Sequence, residues 1–421
     1  MRRLAILSLH TSPLAQPGTG DGGGMNVYVR ELSSALARTG VQCDVFTRAW
    51  SPDLAPVVDV EPGLRVHHVE AGPLAHVPKE SLPQVVDQFT DGVLKAMTSS
   101  TGLSDPDDGD GRYEAVHANY WLSGLAGHVI KHELDLPLVC TFHTLDRVKA
   151  EAGPEEIQAD VPHRRSEAEA TIIGCSDAVL ASCTVEAEQI TELYGADPGR
   201  IEVVPPGVDH AFFGPGHRPQ ARLALGLPVD GPLLLFVGRI QPLKGADVAV
   251  RTLAELSTAG PCYRLAVVGG PSGPRGDEAY DGLLALAEDL GVHDRVSMVP
   301  PQPHELLSTF YRAADVCLVP SRSESFGLVA LESSACGTPV VASAVGGLTT
   351  LVDEARTGFL VEDPAPEAFA HRVRRIVEEP LLGERLSTAS VIRARGYTWR
   401  GAASRLRVIH DELIAGRLVQ C

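Results

Sequence analysis

The chain has 421 residues, with 36 Lys and Arg against 54 Asp and Glu, so its formal net charge is −18. This charge argues against nucleic acid and anionic lipid as partners. No apolar run reaches the length of about 18 residues that a membrane span requires. We therefore expect a cytoplasmic protein with small-molecule ligands, and a length of 421 residues predicts two domains of about 200 residues each.

The cysteines occur singly, several of them inside apolar runs, and none forms a Cys-x-x-Cys pair. This pattern predicts reduced and mostly buried thiols, with neither a disulfide framework nor a zinc knuckle. The eight positions are Cys43, Cys140, Cys175, Cys183, Cys262, Cys317, Cys336 and Cys421.

Apolar strands alternate with amphipathic helices through the first half of the chain. Strands are predicted at 4–9, 41–46, 64–69, 115–117, 136–141, 179–182 and 201–204, and helices at 26–38, 82–97, from 123 onward and at 185–194. Such alternation is typical of βα units and a parallel sheet.

A second half begins after Pro205-Pro-Gly-Val-Asp209, whose Pro and Gly content marks a boundary. Strands are predicted at 233–237, 265–268, 296–299, 316–319, 340–342 and 358–361, with helices at 246–256 and 280–290. The sequence thus predicts an α/β protein of two doubly wound domains, 1–208 and 209–396, facing one another across a cleft.

The stretch from Pro320 to Glu332 joins a predicted strand to a predicted helix. Its turn would lie at the carboxyl edge of the sheet, where unpaired helix-start amides can bind a diphosphate. Glu324 and Glu332 flank that position and could hold hydroxyl groups, which suggests a nucleotide sugar. The alternative is that Glu324 only caps the helix and Glu332 belongs to a solvated helical face.

A second loop, Gly238-Arg-Ile-Gln-Pro-Leu-Lys-Gly245, follows a strand and would lie at the same edge. Arg239 and Lys244 in this loop could stabilise the negative charge of a departing nucleotide diphosphate without a metal ion. Ordinary surface charges are the competing interpretation.

Two further patterns suggest other classes of enzyme. Residues 18–23 match Gly-x-Gly-x-x-Gly, and Asp44 follows at the distance seen in nicotinamide-dependent oxidoreductases, but the first glycine comes nine positions after the strand end. Residues 105–107 and 108–110 both match Asp-x-Asp, a metal–diphosphate signature, in a Pro- and Asp-rich run that we interpret as a solvated loop.

The glycines before Asn26 would let backbone approach a ligand closely and then start a helix. His143 and Tyr120 each follow a predicted strand and would face the cleft, although position alone leaves a structural role for His143 open.

Taken together, these motifs resemble the donor half of retaining family 4 glycosyltransferases of the GT-B fold. The evidence is the Arg239–Lys244 loop, the two glutamates of the 324–332 segment, and Gly346-Gly347-Leu348. Residues 10–28, 120–124 and 143–145 resemble a narrower group, the D-inositol-3-phosphate N-acetylglucosaminyltransferases of actinobacterial mycothiol biosynthesis and their paralogues.

The resemblance implies a donor site for a UDP-sugar, with UDP-N-acetylglucosamine expected and no essential metal or cofactor. It implies that Arg239 and Lys244 bind the diphosphate, Glu332 the ribose, and Glu324 the transferred sugar. The amides of the residues after Glu324 would add to that site, His143 would contact the donor sugar, and Gly24 and Asn26 would face donor phosphate and acceptor. The amides in question belong to Ser325, Phe326 and Gly327.

For the acceptor, the resemblance implies a phosphate site formed by Lys79, Tyr120, Thr144 and Arg165. Three positions depart from the family pattern: Asn119, Phe142 and Asp146. A carboxylate at Asp146 would disfavour a phosphate and suit an amine. An inositol phosphate acceptor and an aminocyclitol or pseudodisaccharide acceptor, as in aminoglycoside biosynthesis, therefore both stay open.

The resemblance further implies front-face transfer with retention, in which the leaving diphosphate accepts the proton of the acceptor hydroxyl. It also implies that residues 397–421, including a helix at 401–415, return to pack on the first domain. The sequence leaves a homodimer open as the assembly.

Overall fold

The computed structural model describes residues 1–18, 20, 22–99, 111–152, 162–258, 261–273 and 275–421. The Asp-x-Asp sequences at 105–110 lie outside these residues, as do Thr19 and Asp21 of the glycine-rich segment. The chain forms two compact units. The first contains Met1–Leu14, Met25–Pro205 and Trp399–Cys421, and the second contains Ala15–Gly24 and Pro206–Thr398.

Each unit contains one sheet. The strands are β1 (Arg3–Leu7), β2 (Gln42–Arg48), β3 (Val57–Glu61), β4 (Leu64–Val69), β5 (Ala115–Asn119), β6 (Leu138–Thr141), β7 (Ala178–Ala181), β8 (Ile201–Val203), β9 (Leu233–Val237), β10 (Arg264–Val268), β11 (Val296–Val299), β12 (Val316–Val319), β13 (Val340–Ser343) and β14 (Gly358–Val361). The first sheet has the order β3-β4-β2-β1-β5-β6-β7-β8 and the second the order β11-β10-β9-β12-β13-β14.

The helices are α1 (Gly24–Ala37), α2 (Val86–Ser99), α3 (Trp121–Leu134), α4 (Asp146–Ala152), α5 (Pro162–Cys175), α6 (Thr184–Tyr194), α7 (Arg218–Ala224), α8 (Ala246–Leu256), α9 (Gly276–Asp289), α10 (His304–Ala313), α11 (Leu328–Ala335), α12 (Leu348–Leu351), α13 (Pro366–Glu378), α14 (Pro380–Ala394) and α15 (Trp399–Ala415). Helix α15 belongs to the first unit, as the sequence predicted.

The central strands are buried along their whole length, as β5, β6, β12 and β13 illustrate. Parallel strands need cover on both faces, so continuous apolar runs form them. Helices supply that cover through apolar stripes: in α8, Ala249, Val250, Leu253 and Leu256 are fully buried at helical spacing. The predicted architecture of two doubly wound sheets is confirmed, and both sheets are parallel except at β3.

Strand β3 was not predicted, and it is the one antiparallel strand in the described part of the chain. Its sequence, Val57-Val-Asp-Val-Glu61, is short and partly exposed at the sheet edge. Edge strands lack the buried apolar run that identifies the others, so no strong pattern marked it.

The prediction that every thiol is reduced is wrong for one pair. A disulfide joins Cys175 to Cys421, with 5.6 Å between their Cα atoms and a sequence separation of 246. Spacing carries no information at such a separation, because tertiary packing brings the two together. Of the remaining cysteines, Cys262 is exposed and the other five are buried.

Among the described residues, no helix is both long enough and apolar enough to cross a membrane.

Candidate functional site

The second sheet reverses its strand order between β9 and β12, which pair side by side. Open α/β sheets bind ligands at such a switch point, beyond the carboxyl ends of the strands. The loop 238–245 follows β9 and the loop 320–327 follows β12, so the fold brings the two predicted donor motifs together. Both motifs lie within the second unit.

These two loops are locked against each other through backbone. The amide of Arg322 donates to the carbonyl of Leu243 at 2.8 Å. Gly245 has φ +71°, and a Cβ there would lie 2.1 Å from the carbonyl oxygen of Pro320. Only glycine fits this close approach in this conformation, so the loop that carries Arg239 and Lys244 has a fixed position.

Lys244 and Glu324 form the direct link between the motifs, with Lys244 Nζ 2.6 Å from Glu324 Oε2. Ser321 Oγ donates to the same carboxylate oxygen at 3.3 Å. The amide of Gly347 donates to the carbonyl of Glu324 at 2.9 Å, which ties the Gly346-Gly347-Leu348 segment to this loop. Glu324 is therefore held by three loops, and the N-cap residue of α11 is Gly327, which has no side chain to cap the helix.

The start of α11 lies where the sequence predicted it, directly after the 325–327 segment. Gly327 precedes the helix with φ +103°, and Ser325 and Phe326 form the turn before it. The Phe326 ring is buried and packs edge-on against Tyr397 at 5.8 Å between centroids. Helix-start amides without a cap are donors suited to a phosphate.

Glu332 is only 5 % exposed, which rules out the solvated helical face. One carboxylate oxygen lies 2.7 Å from His304 Nε2, and the other accepts from the Tyr311 hydroxyl at 2.8 Å. Burial and the Glu332 charge raise the pKa of Tyr311 well above its usual value, so this hydroxyl remains a donor. Each oxygen of Glu332 retains a second acceptor position for a ligand hydroxyl.

Arg239 lies against the glycine-rich segment. Its Nη1 donates to Ser272 Oγ at 3.2 Å, and Ser272 Oγ donates to the Gly20 carbonyl at 2.7 Å. A Cβ on Gly23 would lie 3.3 Å from Arg239 Nε, and one on Gly24 would lie 3.4 Å from Leu328. The glycines therefore pack on the second unit, although the predicted boundary assigned them to residues 1–208.

A second group of predicted residues meets in the first unit, around the ring of Tyr120. Lys79 Nζ lies 5.5 Å from the ring centroid and the Arg165 guanidinium carbon 5.0 Å from it. Arg165 Nη2 donates to the backbone carbonyl of Thr144 at 2.8 Å and to Thr144 Oγ1 at 3.2 Å. The four residues that the resemblance assigned to the acceptor phosphate therefore form one cluster, which we call the Tyr120 cluster.

Two donors of the Tyr120 cluster are buried without a hydrogen-bond partner among the described residues: the Tyr120 hydroxyl and Arg165 Nη1. Burial alone would lower the pKa of Arg165, but Tyr120 and Glu169 raise it above its ordinary value, so the guanidinium stays charged. Unsatisfied buried donors are rare and indicate a missing acceptor. An anion would supply it.

Asp146 lies at the margin of the Tyr120 cluster, with Oδ1 4.0 Å from Arg165 Nε. Glu169 accepts from the same Nε at 2.8 Å and also accepts from the Asp146 amide at 2.9 Å. Sequence reasoning missed Glu169, although its position four residues after Arg165 on one helix face is a usable signal. His304, Tyr311 and Ser272 carried no such signal.

Two non-glycine residues of this region have positive φ: Tyr120 at +75° and His143 at +61°. Tyr120 directly follows β5, and His143 lies two residues after the end of β6. Backbone strain of this kind persists only where the surrounding structure holds the residue in that conformation. His143 Nε2 lies 2.9 Å from Asn119 Oδ1, so this nitrogen carries the proton. Burial and then His117 lower the pKa of His143 to about 3, which keeps the ring neutral.

Asn26 is buried in α1 near this region. Its Nδ2 donates to Thr11 Oγ1 at 2.7 Å and to the Ser12 carbonyl at 2.6 Å. Both bonds fix residues 11–12, so Asn26 orders the segment that follows β1. Asp44, the acid expected of a nicotinamide-binding protein, is instead buried within β2 and paired with Arg3, Arg65 and His67.

Comparison with known proteins finds a matching family model for each half of the chain. Residues 217–392 match the family model described as glycosyl transferases group 1, and residues 23–207 match the glycosyl transferase 4-like domain. A protein of Acidothermus cellulolyticus named D-inositol 3-phosphate glycosyltransferase is 46% identical over 99% of this chain and 91% of its own. A protein of the same name from Actinosynnema mirum is 48% identical over 95% and 94%.

The fold is shared with solved structures. A sucrose-phosphate synthase from Thermosynechococcus elongatus is 33% identical, with a TM-score of 0.89 over 99% of this chain and 100% of the other. The catalytic domain of starch synthase IV from Arabidopsis thaliana, bound to ADP and acarbose, has a TM-score of 0.74 at 14% identity, over 99% of each chain.

Proposed function

Because the chain belongs to the group 1 glycosyltransferases with a glycosyltransferase 4-like first domain, we propose that it transfers N-acetylglucosamine from UDP-N-acetylglucosamine to an inositol phosphate with retention of configuration. The enzyme is a glycosyltransferase of the GT-B fold. The donor, the acceptor and the stereochemistry are the proposed parts.

The donor assignment is supported by the charges at the switch point of the second sheet. Arg239, Lys244 and the amides at the start of α11 are donors for a diphosphate. Glu332 offers acceptors to ribose hydroxyls and Glu324 to the hydroxyls of the sugar. With two cations already present, the site needs no metal ion to neutralise the leaving group.

In the proposed reaction, the bond between the anomeric carbon and the diphosphate breaks while the acceptor hydroxyl attacks from the same face. The hydroxyl proton passes to the departing diphosphate oxygen, so UDP leaves with that proton and no general base is required. Catalysis then rests on positioning and on charge stabilisation by Arg239 and Lys244. His143, neutral and fixed by Asn119, would orient the sugar.

One observation carries the acceptor assignment: two cations flank the Tyr120 ring, and two buried donors there have no hydrogen-bond partner among the described residues. A phosphate would accept from Tyr120, Arg165 and Lys79 at once. The two curated relatives described above support this class of acceptor, because both are named D-inositol 3-phosphate glycosyltransferase.

Asp146 favours a second candidate, transfer to an aminocyclitol or pseudodisaccharide. Its carboxylate and that of Glu169 both lie near Arg165, and together they offset the positive charge that a phosphate needs. An ammonium group on the acceptor would gain from the same carboxylates.

Measuring UDP release from UDP-N-acetylglucosamine tests these proposals. The rate without an acceptor is compared with the rates in the presence of inositol phosphate, free inositol or a diamino-cyclitol. We expect release with inositol phosphate alone. Release only with the amine-bearing acceptor would transfer the assignment to the second candidate. If no acceptor raises release above the acceptor-free rate, the proposed donor or reaction is wrong.

The substitution Tyr120→Phe probes the phosphate site directly. Because hydrogen bonds to charged groups contribute about 1.5–3 kcal/mol, we expect KM for inositol phosphate to rise about 10- to 100-fold. KM for the donor and the stability of the free protein should stay unchanged, since the hydroxyl has no partner among the described residues.

Tyr113→Phe is the matched control. Its hydroxyl donates to Asp44 Oδ2 at 2.8 Å. Tyr113 precedes β5 whereas Tyr120 follows it, so the length of this strand separates the two side chains. This variant should lose stability and keep its acceptor KM. Equal acceptor KM values for Tyr120→Phe and the wild type would contradict the phosphate assignment.

A further inference from the structure

Four side chains that take no part in the proposed reaction meet at one point of the first unit. His128 and His132 lie on α3, Cys175 ends α5, and Cys421 lies beyond α15. One ligand atom of each lies within 4.8 Å of those of the other three. We call these residues the His2Cys2 cluster.

The distances suit a metal ion. His132 Nε2 lies 3.8 Å from Cys175 Sγ and 3.3 Å from Cys421 Sγ. In a tetrahedral zinc site with ordinary Zn–N and Zn–S bonds, neighbouring ligand atoms are separated by about 3.4–3.8 Å. His128 and His132 are four residues apart, so both rings project from one helix face, 4.9 Å between centroids.

A nitrogen of His128 is available as a metal ligand. Nδ1 of His128 is buried and has no hydrogen-bond partner in the part of the chain that the structure describes. The disulfide provides no hydrogen-bond partner for this nitrogen, whereas a bound metal ion would fix the orientation of both imidazole rings.

The surrounding contacts hold the three segments in place independently of any metal. Lys131 Nζ donates to the Cys175 carbonyl at 2.8 Å and to both oxygens of Asp177 at 2.9 Å and 2.8 Å. The amide of Val419 donates to Asp177 Oδ1 at 2.7 Å. Asp177 therefore brings residue 419, and with it Cys421, to the His-bearing face of α3.

We propose that in its reduced form the His2Cys2 cluster binds one Zn²⁺, which fastens residues 416–421 to the first unit. Two thiolates and two imidazoles in a tetrahedral arrangement are a typical closed, structural zinc set. The oxidised form is the Cys175–Cys421 disulfide that the structure contains. A dithiol reductant supplies two electrons and two protons to open it and becomes a disulfide itself, and zinc then displaces the two thiol protons.

Zinc content and Co²⁺ spectra test the proposal on the full chain, reduced with a dithiol, loaded with ZnCl₂ or CoCl₂ and dialysed. We expect about one zinc per chain for the wild type, and for the cobalt form the thiolate charge-transfer and intense visible bands of tetrahedral coordination. Chelation should lower the melting temperature.

His132→Asn is the decisive variant, because it removes a ligand and leaves both cysteines able to form the disulfide. It should bind at least tenfold less zinc than the wild type. Cys421→Ser should show the same loss, and because Cys421 is exposed this variant leaves the core intact. His76→Gln, at an exposed histidine outside the His2Cys2 cluster, should retain the wild-type zinc content. Zinc-free wild-type protein, or equal zinc in the wild type and His132→Asn, would overturn the proposal.

Discussion

At the scale of single residues, Lys244 links two loops of the second unit and carries a positive charge at the predicted diphosphate site. Its contact with Glu324 fixes the ammonium group in the loop after β9, close to the uncapped start of α11. A cation held in position needs no reorganisation when charge develops on a leaving group, and we propose that this would be the source of a catalytic effect of Lys244.

We expect Lys244→Ala to lower kcat/KM about 10²- to 10³-fold, because one fixed donor to the developing charge is lost. UDP release measures the change, and circular dichroism checks that the fold persists. Lys95→Ala, at an exposed position of α2, is the matched control and should keep its turnover. Near-normal turnover of Lys244→Ala would remove this residue from the site.

Motif residues could be identified from the sequence, but their partners could not. Lys79 and Arg165 meet at one ring although 86 residues separate them, and only tertiary structure reveals the unsatisfied donors of Tyr120 and Arg165. The positive φ of Tyr120 and His143 likewise has no sequence signature, because neither is a glycine. Asp146 is the carboxylate that left the choice between a phosphate and an amine on the acceptor open.

At the scale of elements, strands were predicted best where burial is complete. The predicted 233–237, 296–299 and 316–319 agree with β9, β11 and β12. Elements with a mixed or polar surface were not predicted, and β3 is one example. Helix α5 is another, because its His-Arg-Arg-Ser-Glu start has little apolar periodicity. A continuous apolar run reports burial on two faces, whereas an edge strand or a polar helix leaves no comparable pattern.

Asp44 on β2 joins three neighbouring strands, since Arg3 lies on β1 and Arg65 and His67 on β4. Burial alone would raise the pKa of Asp44, but hydrogen bonds from His67 and Arg65 and the charge of Arg3 hold it far below its usual range. A depressed folded-state pKa stabilises the protein above the unfolded value of about 3.9, and that contribution is lost as the pH falls.

We therefore expect Asp44→Asn to lower the free energy of unfolding at pH 7 by about 3–5 kcal/mol, as for other broken buried ion pairs. Urea unfolding at several pH values measures it. Below pH about 4, wild-type stability should fall with decreasing pH more steeply than that of the variant. Parallel pH curves for the two proteins would show that Asp44 is not the acid-sensitive group.

For the whole molecule, each unit has its own sheet and its own core. We expect UDP at about 100 times its Kd to stabilise the protein by about 2.7 kcal/mol. Hydrogen exchange should slow at β9, β12 and the start of α11, where the donor motifs lie. Inositol phosphate should instead slow exchange around α5. Protection by UDP confined to the first unit would contradict the donor assignment.

The first unit is assembled from separate stretches of chain, with α15 rejoining it after the whole of residues 206–398. A ribosome therefore finishes the second unit before α15 emerges, and until then the surface that Leu406 and Ile409 cover remains bare. The first unit cannot complete its core during its own translation. A nascent chain arrested before residue 399 should consequently be a chaperone client, even with every other residue of that unit already made.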